Sequence, residues 1–430
     1  MKLKSLELHN YRRFATLKIG FHDQLTVLIG TNGAGKTTIL DAAAVAIGSL
    51  FTGMNGIAGP GIKPRDSHIK AFSIGSNEDV QPQYPVGIEA TGIVNNKYGA
   101  WERTLTGERN NTTVAGAKFI KEISVSYQER LMEGDTTLLL PVLAYYGTGR
   151  LWDYHREKKT DTFKDSNRLN GYTDCLDGTA NIKLMLNWFQ KMTIQKYQRQ
   201  EQNLGTIPEL EAVYGAIEKC FSLAVGYDNV KVQYNLNTNE LDVYYTTADK
   251  CRMKLPLNQL SDGYKGTISL VADIAYRMAV LNPQLLGRVV DETAGVVLID
   301  EVDLHLHPAW QQRVLHDLQT IFPKVQFIVT THAPAVIQSV RSENIRILTD
   351  DGILTPASQV YGKDIRSVAQ EIMGVCGRLP EVEGKFREFY EALDRKDYES
   401  AQNVIDGLQD MIGEDSELTS MQVQLDMDSF

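Results

Sequence analysis

Apolar residues follow two rhythms along the chain. Leu3, Leu6 and Leu8, then Leu17, Ile19 and Phe21, partly alternate with polar neighbours, the period-2 pattern of strands with one buried face. Residues 25–29 instead form a continuous run, as expected of a strand covered on both faces. Residues 138–146, 295–299 and 325–330 have the same character. Alternation returns over 87–94, 100–106 and 120–127, read as an antiparallel group, and over 230–236 and 241–246, read as a hairpin around Asn237-Thr238-Asn239.

Helices are expected over 36–50, 181–200, 207–224 and 261–280, and again from Pro308, which sits at a first-turn position. Residues 364–411 read as three helices. Val382, Phe386, Phe389 and Leu393 share one face of the second, and Ala401, Val404, Ile405 and Leu408 one face of the third. Residues 51–85, with repeated Gly and Pro, read as loop, and 414–430 as a frayed or disordered end.

Composition narrows the class. The 430 residues are 43% hydrophobic and 23% charged, ordinary for a globular chain of roughly two or three domains. No apolar stretch is long enough to span a bilayer. Met1-Lys2-Leu3-Lys4 runs straight into the alternating pattern without a secretory segment, so the cytoplasm is the expected location. The four cysteines, Cys175, Cys220, Cys251 and Cys376, are far apart, which fits a reducing compartment. A net charge of −10 gives nucleic-acid binding no support as a bulk property. The local candidate is Arg150, His155, Arg156, Lys158 and Lys159, weighed against a solvated face because Asp153, Glu157 and Asp161 are interspersed.

The chemistry-bearing segments sit at strand ends. Gly30-x-x-x-x-Gly35-Lys36-Thr37 follows an apolar strand and opens a helix. In such a loop, glycines let backbone N–H groups at Asn32, Gly33, Ala34, Gly35, Lys36, Thr37 and Thr38 curl around a phosphate, and the helix start adds its positive end. Lys36 supplies charge to the β- and γ-phosphates of ATP, and the Thr37 hydroxyl is a hard ligand for Mg²⁺. Val296–Ile299 ends in Asp300-Glu301: Asp300 is the second Mg²⁺ candidate, and Glu301 the group that orients or deprotonates the attacking water. His332, closing the next strand, is placed to hydrogen-bond the γ-phosphate. His305-Leu306-His307 reads as a tight loop and helix start rather than a metal pair, because no third ligand stands at a recognisable spacing.

Leu260-Ser261-Asp262-Gly263-Tyr264-Lys265 resembles the signature of ABC-type ATPases, with Asp262 in place of the first of two glycines. With the phosphate loop, Asp300-Glu301, the turn 302–305 and His332, the motifs occur in the family's order. The resemblance implies an α/β fold: an ABC-type P-loop ATPase head with an antiparallel β subdomain, a helical insertion and a C-terminal helical region. The implied division is 1–150 and 227–356 as ATPase lobes, 151–226 as insertion and 357–430 as the helical region. It also implies head-to-tail pairing with a second copy, possible assembly beyond a dimer, and Ser261 and Gly263 of one copy meeting the γ-phosphate held by the other.

Leu8-His9-Asn10-Tyr11-Arg12-Arg13-Phe14 looks like the first strand of the SMC, RecF and overcoming-lysogenization-defect ATPases, and suggests Arg12 or Arg13 near the nucleotide. Their Q-loop glutamine has no recognisable counterpart; Tyr145-Tyr146-Gly147-Thr148-Gly149-Arg150 occupies its place. Residues 140–152 and Tyr361-Gly362-Lys363-Asp364-Ile365 are similar to blocks of the PtuA-type ATPases of Septu anti-phage systems and their retron-encoded relatives. That resemblance implies a separate HNH-type nuclease as partner, and for the retron relatives nucleic acid or a reverse transcriptase/msDNA complex. The residues after His332 carry no acidic-cluster or HNH pattern, so any nuclease is expected on another chain. The alternatives are a RecF-like DNA-repair head and a nucleotide-held scaffold with slow hydrolysis.

Overall fold

The computed structural model describes every residue except 75–76, 152–166, 179–181, 248, 351, 375–377 and 429–430. It divides into two units, Met1–Gly362 and Lys363–Phe430. In chain order the first contains β1 (Lys2–Tyr11), β2 (Phe14–Gly20), β3 (Leu25–Gly30), α1 (Lys36–Gly48), β4 (His68–Ile74), β5 (Asn77–Gln83), β6 (Val86–Val94), β7 (Lys97–Leu105), α2 (Lys118–Met132) and β8 (Val142–Tyr146). It continues with α3 (Ile182–Glu201), α4 (Pro208–Val225), β9 (Asp228–Asn235), β10 (Glu240–Thr246), β11 (Arg252–Pro256), α5 (Asp262–Leu281), α6 (Val289–Glu292) and β12 (Gly295–Ile299). Last come α7 (Pro308–Gln311), α8 (Val314–Ile321), β13 (Val325–Thr330), α9 (Pro334–Ile337), β14 (Ile345–Thr349) and β15 (Gly352–Leu354). The second unit holds α10 (Ile365–Glu371), α11 (Pro380–Asp394), α12 (Tyr398–Ile412) and α13 (Ser416–Asp428).

The unbroken apolar runs form the centre of one sheet, ordered β15-β14-β3-β13-β12-β8. All its pairings are parallel except the edge pair β14–β15. Every residue of β8, β12 and β13 is buried, because helices cover both faces of a parallel sheet. The amphipathic strands make a second, antiparallel sheet, β2-β1-β6-β7. Helix α1 packs against strands of both sheets. A helix covered all round must be apolar all round, which explains the run of alanines at 42–44, all buried. Trp101 donates from its indole to the Ala46 carbonyl at 2.9 Å. Buried Gln326 joins the sheets: its amide donates to the carbonyls of Leu3 (2.7 Å) and His22 (2.8 Å), and its oxygen accepts from the Leu3 amide (2.7 Å). A third sheet, β11-β10-β9, packs on α4.

The fold class is the one expected: mixed α/β with antiparallel sheets and C-terminal helices. Three local expectations are corrected. Residues 120–127 are helical within α2, where Ile120, Ile123, Ser124 and Tyr127 are buried at helical spacing. The local alternation of Ile123, Val125 and Tyr127 misleads, since Val125 is 37% exposed. The 51–85 loop contains the hairpin β4–β5, whose Ile69, Phe72 and Val80 are exposed, so no buried face marks it in sequence. The end of the chain is not frayed through 414–430. Helix α13 buries Leu418, Met421 and Leu425 in a core with Val382, Phe386, Phe389, Ala401, Ile405 and Leu408.

Candidate nucleotide site

The C-terminal ends of β3, β12 and β13 lie side by side, so the loops after them converge, as expected at the carboxyl edge of a parallel sheet. The first is the phosphate loop. Gly33 and Gly35 take φ of 78° and 99°, left-handed conformations that a side chain disfavours. A Cβ on Gly35 would lie 2.5 Å from the Phe14 ring, so the loop also lacks room there. The loop closes on itself: the Ala34 amide donates to the Thr31 carbonyl at 3.1 Å. Lys36, 7% exposed, bends back so that Nζ donates to the carbonyls of Gly30 and Thr31, both at 2.9 Å.

The second loop supplies the acids. Asp300 Oδ2 accepts from the Thr37 hydroxyl at 2.8 Å, and Oδ1 from the Thr330 hydroxyl at 2.6 Å. The Asp300 amide donates to the Tyr146 carbonyl at 2.8 Å. Glu301 follows at φ 47°, a strained conformation for a glutamate, and its amide donates to Thr330 Oγ1 at 2.7 Å. The third loop carries His332. Beside it, the Thr331 hydroxyl donates to Asp303 at 2.5 Å and accepts from the Ala333 amide at 3.0 Å.

Together these elements enclose a cavity of about 350 Å³, lined by Arg12, Arg13, Asn32, Gly33, Gly35, Lys36, Thr37, Thr38, Asp300, Glu301 and His332. Arg12 is held from behind by Asp41 (2.5 Å) and Asp66 (2.9 Å). Arg13 donates to the Gly33 carbonyl and, at 2.9 Å, to Asp350. Burial pulls Lys36 below its ordinary pKa, with Asp300 and Glu301 opposing. Burial, then the Lys36 charge, pulls His332 below its ordinary value, with Glu301, Asp303 and Asp300 opposing. Both effects favour the neutral imidazole.

The residues fit a polyphosphate with a hard divalent cation. Three cationic side chains line one pocket, a Cβ on Gly33 would meet nothing within 4 Å, and the Thr37 hydroxyl and Asp300 carboxylate are two hard oxygen donors already adjacent. Ala34 is buried and does not line the cavity. Ser261 and Gly263 also lie outside it. Ser261 caps α5 with an exposed side chain that bonds no helix amide. Gly263 is buried, and a Cβ there would fall 2.4 Å from the His305 carbonyl oxygen. His155, Arg156, Lys158 and Lys159 of the basic cluster lie outside the described residues. Sequence reasoning missed Thr330, Asp41 and Asp66, and gave Tyr145 no role of its own within the strand end 145–150. The polar Thr330-Thr331 at the end of an apolar strand was a usable signal; Asp41 and Asp66 have no local pattern.

This geometry defines a P-loop nucleotide site on an α/β fold. An AAA domain family model matches residues 5–221, and the chain belongs to that family. A second AAA domain model matches residues 156–338. The chain is 28% identical over 411 residues to the Retron Vc95 probable ATPase of Vibrio cholerae serotype O1 biovar El Tor, covering 85% of this chain and 77% of the relative. It is 25% identical over 410 residues to the Septu protein PtuA of Bacillus thuringiensis, covering 92% and 90%. These are the groups the sequence blocks resemble. Among solved structures, the SMC head domain from Thermotoga maritima aligns with a TM-score of 0.44 at 19% identity, covering 83% of this chain and 100% of that one. No helix among the described residues is long and apolar enough to cross a membrane.

Proposed function

We propose that this chain is the ATP-hydrolysing subunit of an anti-phage defence complex. The observation that carries the ATPase reading is the clamp on Asp300. One oxygen faces Thr37 of the phosphate loop and the other Thr330, while Glu301 is bent toward the same cavity beside Lys36. Lys36 and the loop amides hold the phosphates, with Arg12 and Arg13 at the cavity wall. Thr37 and Asp300 would hold Mg²⁺, which when bound offsets charge on the phosphate oxygens. Glu301 takes the proton of the attacking water, and neutral His332 donates a hydrogen bond to the γ-phosphate.

The defence role rests on similarity to retron and Septu ATPases over most of the chain. In this reading two copies pair head to tail, with Ser261 and Gly263 of one completing the γ-phosphate contacts of the other. ATP binding assembles the pair, hydrolysis releases it, and the cycle controls a separate HNH-type nuclease. Purified chain should release phosphate from ATP only with Mg²⁺ present. No turnover at any protein concentration would leave the scaffold reading in its place. DNA degradation without a second protein would defeat the separate-nuclease assignment.

A further inference from the structure

Strand β8 ends in two consecutive tyrosines, and a strand sends consecutive side chains to opposite faces of its sheet. On one face the Tyr145 hydroxyl donates to Asp41 Oδ1 at 2.9 Å. Asp41 stands on α1, one turn beyond Thr37, and its other oxygen accepts from Arg12, which lines the nucleotide cavity. On the other face the Tyr146 hydroxyl donates to Asp273 Oδ2 at 2.7 Å. Asp273 belongs to α5, the helix that begins at the exposed Ser261 turn. The same oxygen accepts from Arg277 Nε at 2.7 Å, and Arg277 also donates to the carbonyls of Gly171 (3.0 Å) and Thr173 (2.9 Å). Between the two hydroxyls, the Tyr146 carbonyl receives the Asp300 amide. One dipeptide thus touches the phosphate-loop helix, the acidic strand end and the signature helix.

Packing alone does not call for this arrangement. Asp273 and Arg277 are 1% and 2% exposed, and Asp273 Oδ1 has no hydrogen-bond partner among the described residues. Apolar side chains of similar volume are often as stable as a buried ion pair, or more so. A hydrogen-bonded chain does something that apolar packing does not. It holds or breaks at defined contacts, so two elements can share one discrete change.

We propose that Tyr145 and Tyr146 are positioning residues that couple occupancy of the nucleotide cavity to α5 and, through Arg277, to residues 168–173. Cys175 and Gly178 accept directly from the backbone amides of Tyr145 (2.7 Å) and Gly147 (2.6 Å), so 174–178 lie outside this side-chain link. A phosphate that draws on Arg12 competes with Asp41 for the guanidinium. The Tyr145 hydroxyl follows Asp41, and Tyr146 on the same strand end carries the change to Asp273. The inference rests on the ATP-site reading but not on head-to-tail pairing.

The test is backbone hydrogen exchange of the full chain, with and without a non-hydrolysable ATP analogue and Mg²⁺, at a protein concentration where it is monomeric. In the wild type the analogue should slow exchange in the phosphate loop and, by about tenfold, in 168–173. Tyr146→Phe should keep analogue affinity within about twofold and keep the loop protected, but lose the effect at 168–173. Full protection of 168–173 in Tyr146→Phe overturns the proposal. A protected loop with no wild-type response at 168–173 also overturns it, and leaves the ATP site standing. An unprotected loop in the wild type removes the ATP-site reading and the link with it. Should Tyr146→Phe fail to fold, the triple replacement Tyr146→Phe, Asp273→Leu, Arg277→Met removes the ion pair as a unit. It is judged on the same readout.

Discussion

Two helix N-termini in this chain start alike and end up in opposite situations. Helix α1 begins at Gly35 inside a cavity walled by Lys36, Asp300, Glu301 and His332 of the same chain. Helix α5 begins at Ser261, exposed with Asp262, and none of its first residues lines that cavity. The second terminus is nevertheless firmly built, since Gly263 leaves no space against the His305 carbonyl. One end is walled by side chains of its own chain. The other leaves Ser261 and Asp262 exposed, and in the proposed pairing would meet the γ-phosphate held by another copy. This difference is the physical support for the paired reading.

Substitutions at the two ends should therefore fail differently. Glu301→Gln removes the base and leaves the phosphate contacts. Turnover should fall roughly 10²- to 10⁴-fold while ATP still binds, and light scattering should find the pair trapped as a dimer. Normal turnover would exclude the water-activating role. Lys36→Ala removes a buried cation from the phosphates and should cost about 3 kcal/mol, or roughly a hundredfold in ATP affinity by calorimetry. Unchanged affinity would remove the site assignment. Ser261→Ala should leave the affinity of a single copy for ATP within about twofold and lower turnover about tenfold, the scale of one lost hydrogen bond.

The smallest effect is in pH. Burial and the Lys36 charge hold His332 below the ordinary value of 6.5, so the neutral donor is favoured at neutral pH. As pH falls through the lowered value the ring gains a positive charge and still donates to the γ-phosphate. ATP affinity should therefore rise modestly on the acid side of 6.5, and His332→Gln should remove that rise. A rise that persists in the variant belongs to another group.

What could be read from the sequence follows a physical line. β3, β12 and β13 are covered on both faces, so they are continuous apolar runs and carry their own signal. The loop and strand-end motifs are local, and their residues fall around one cavity. The supports are not local. Asp66 meets Arg12 across 54 residues, Thr330 meets Asp300 across 30, and Tyr145 meets Asp41 across 104. No spacing rule connects such partners. Helix α13 was hidden for a different reason: exposed Val423 and Met427 lie on the face opposite buried Leu418, Met421 and Leu425, which leaves little amphipathic contrast.

Head-to-tail completion of the site is tested most directly by mixing two inactive variants. Lys36→Ala lacks the phosphate half-site and keeps the α5 turn; Ser261→Arg keeps the first and blocks the second. In a hybrid pair, one of the two sites has both halves intact. The account predicts that an equimolar mixture regains roughly a quarter of wild-type turnover, because about half of randomly formed pairs are hybrids with one good site of two. A mixture as inactive as its components, or full activity of Ser261→Arg alone, would contradict it.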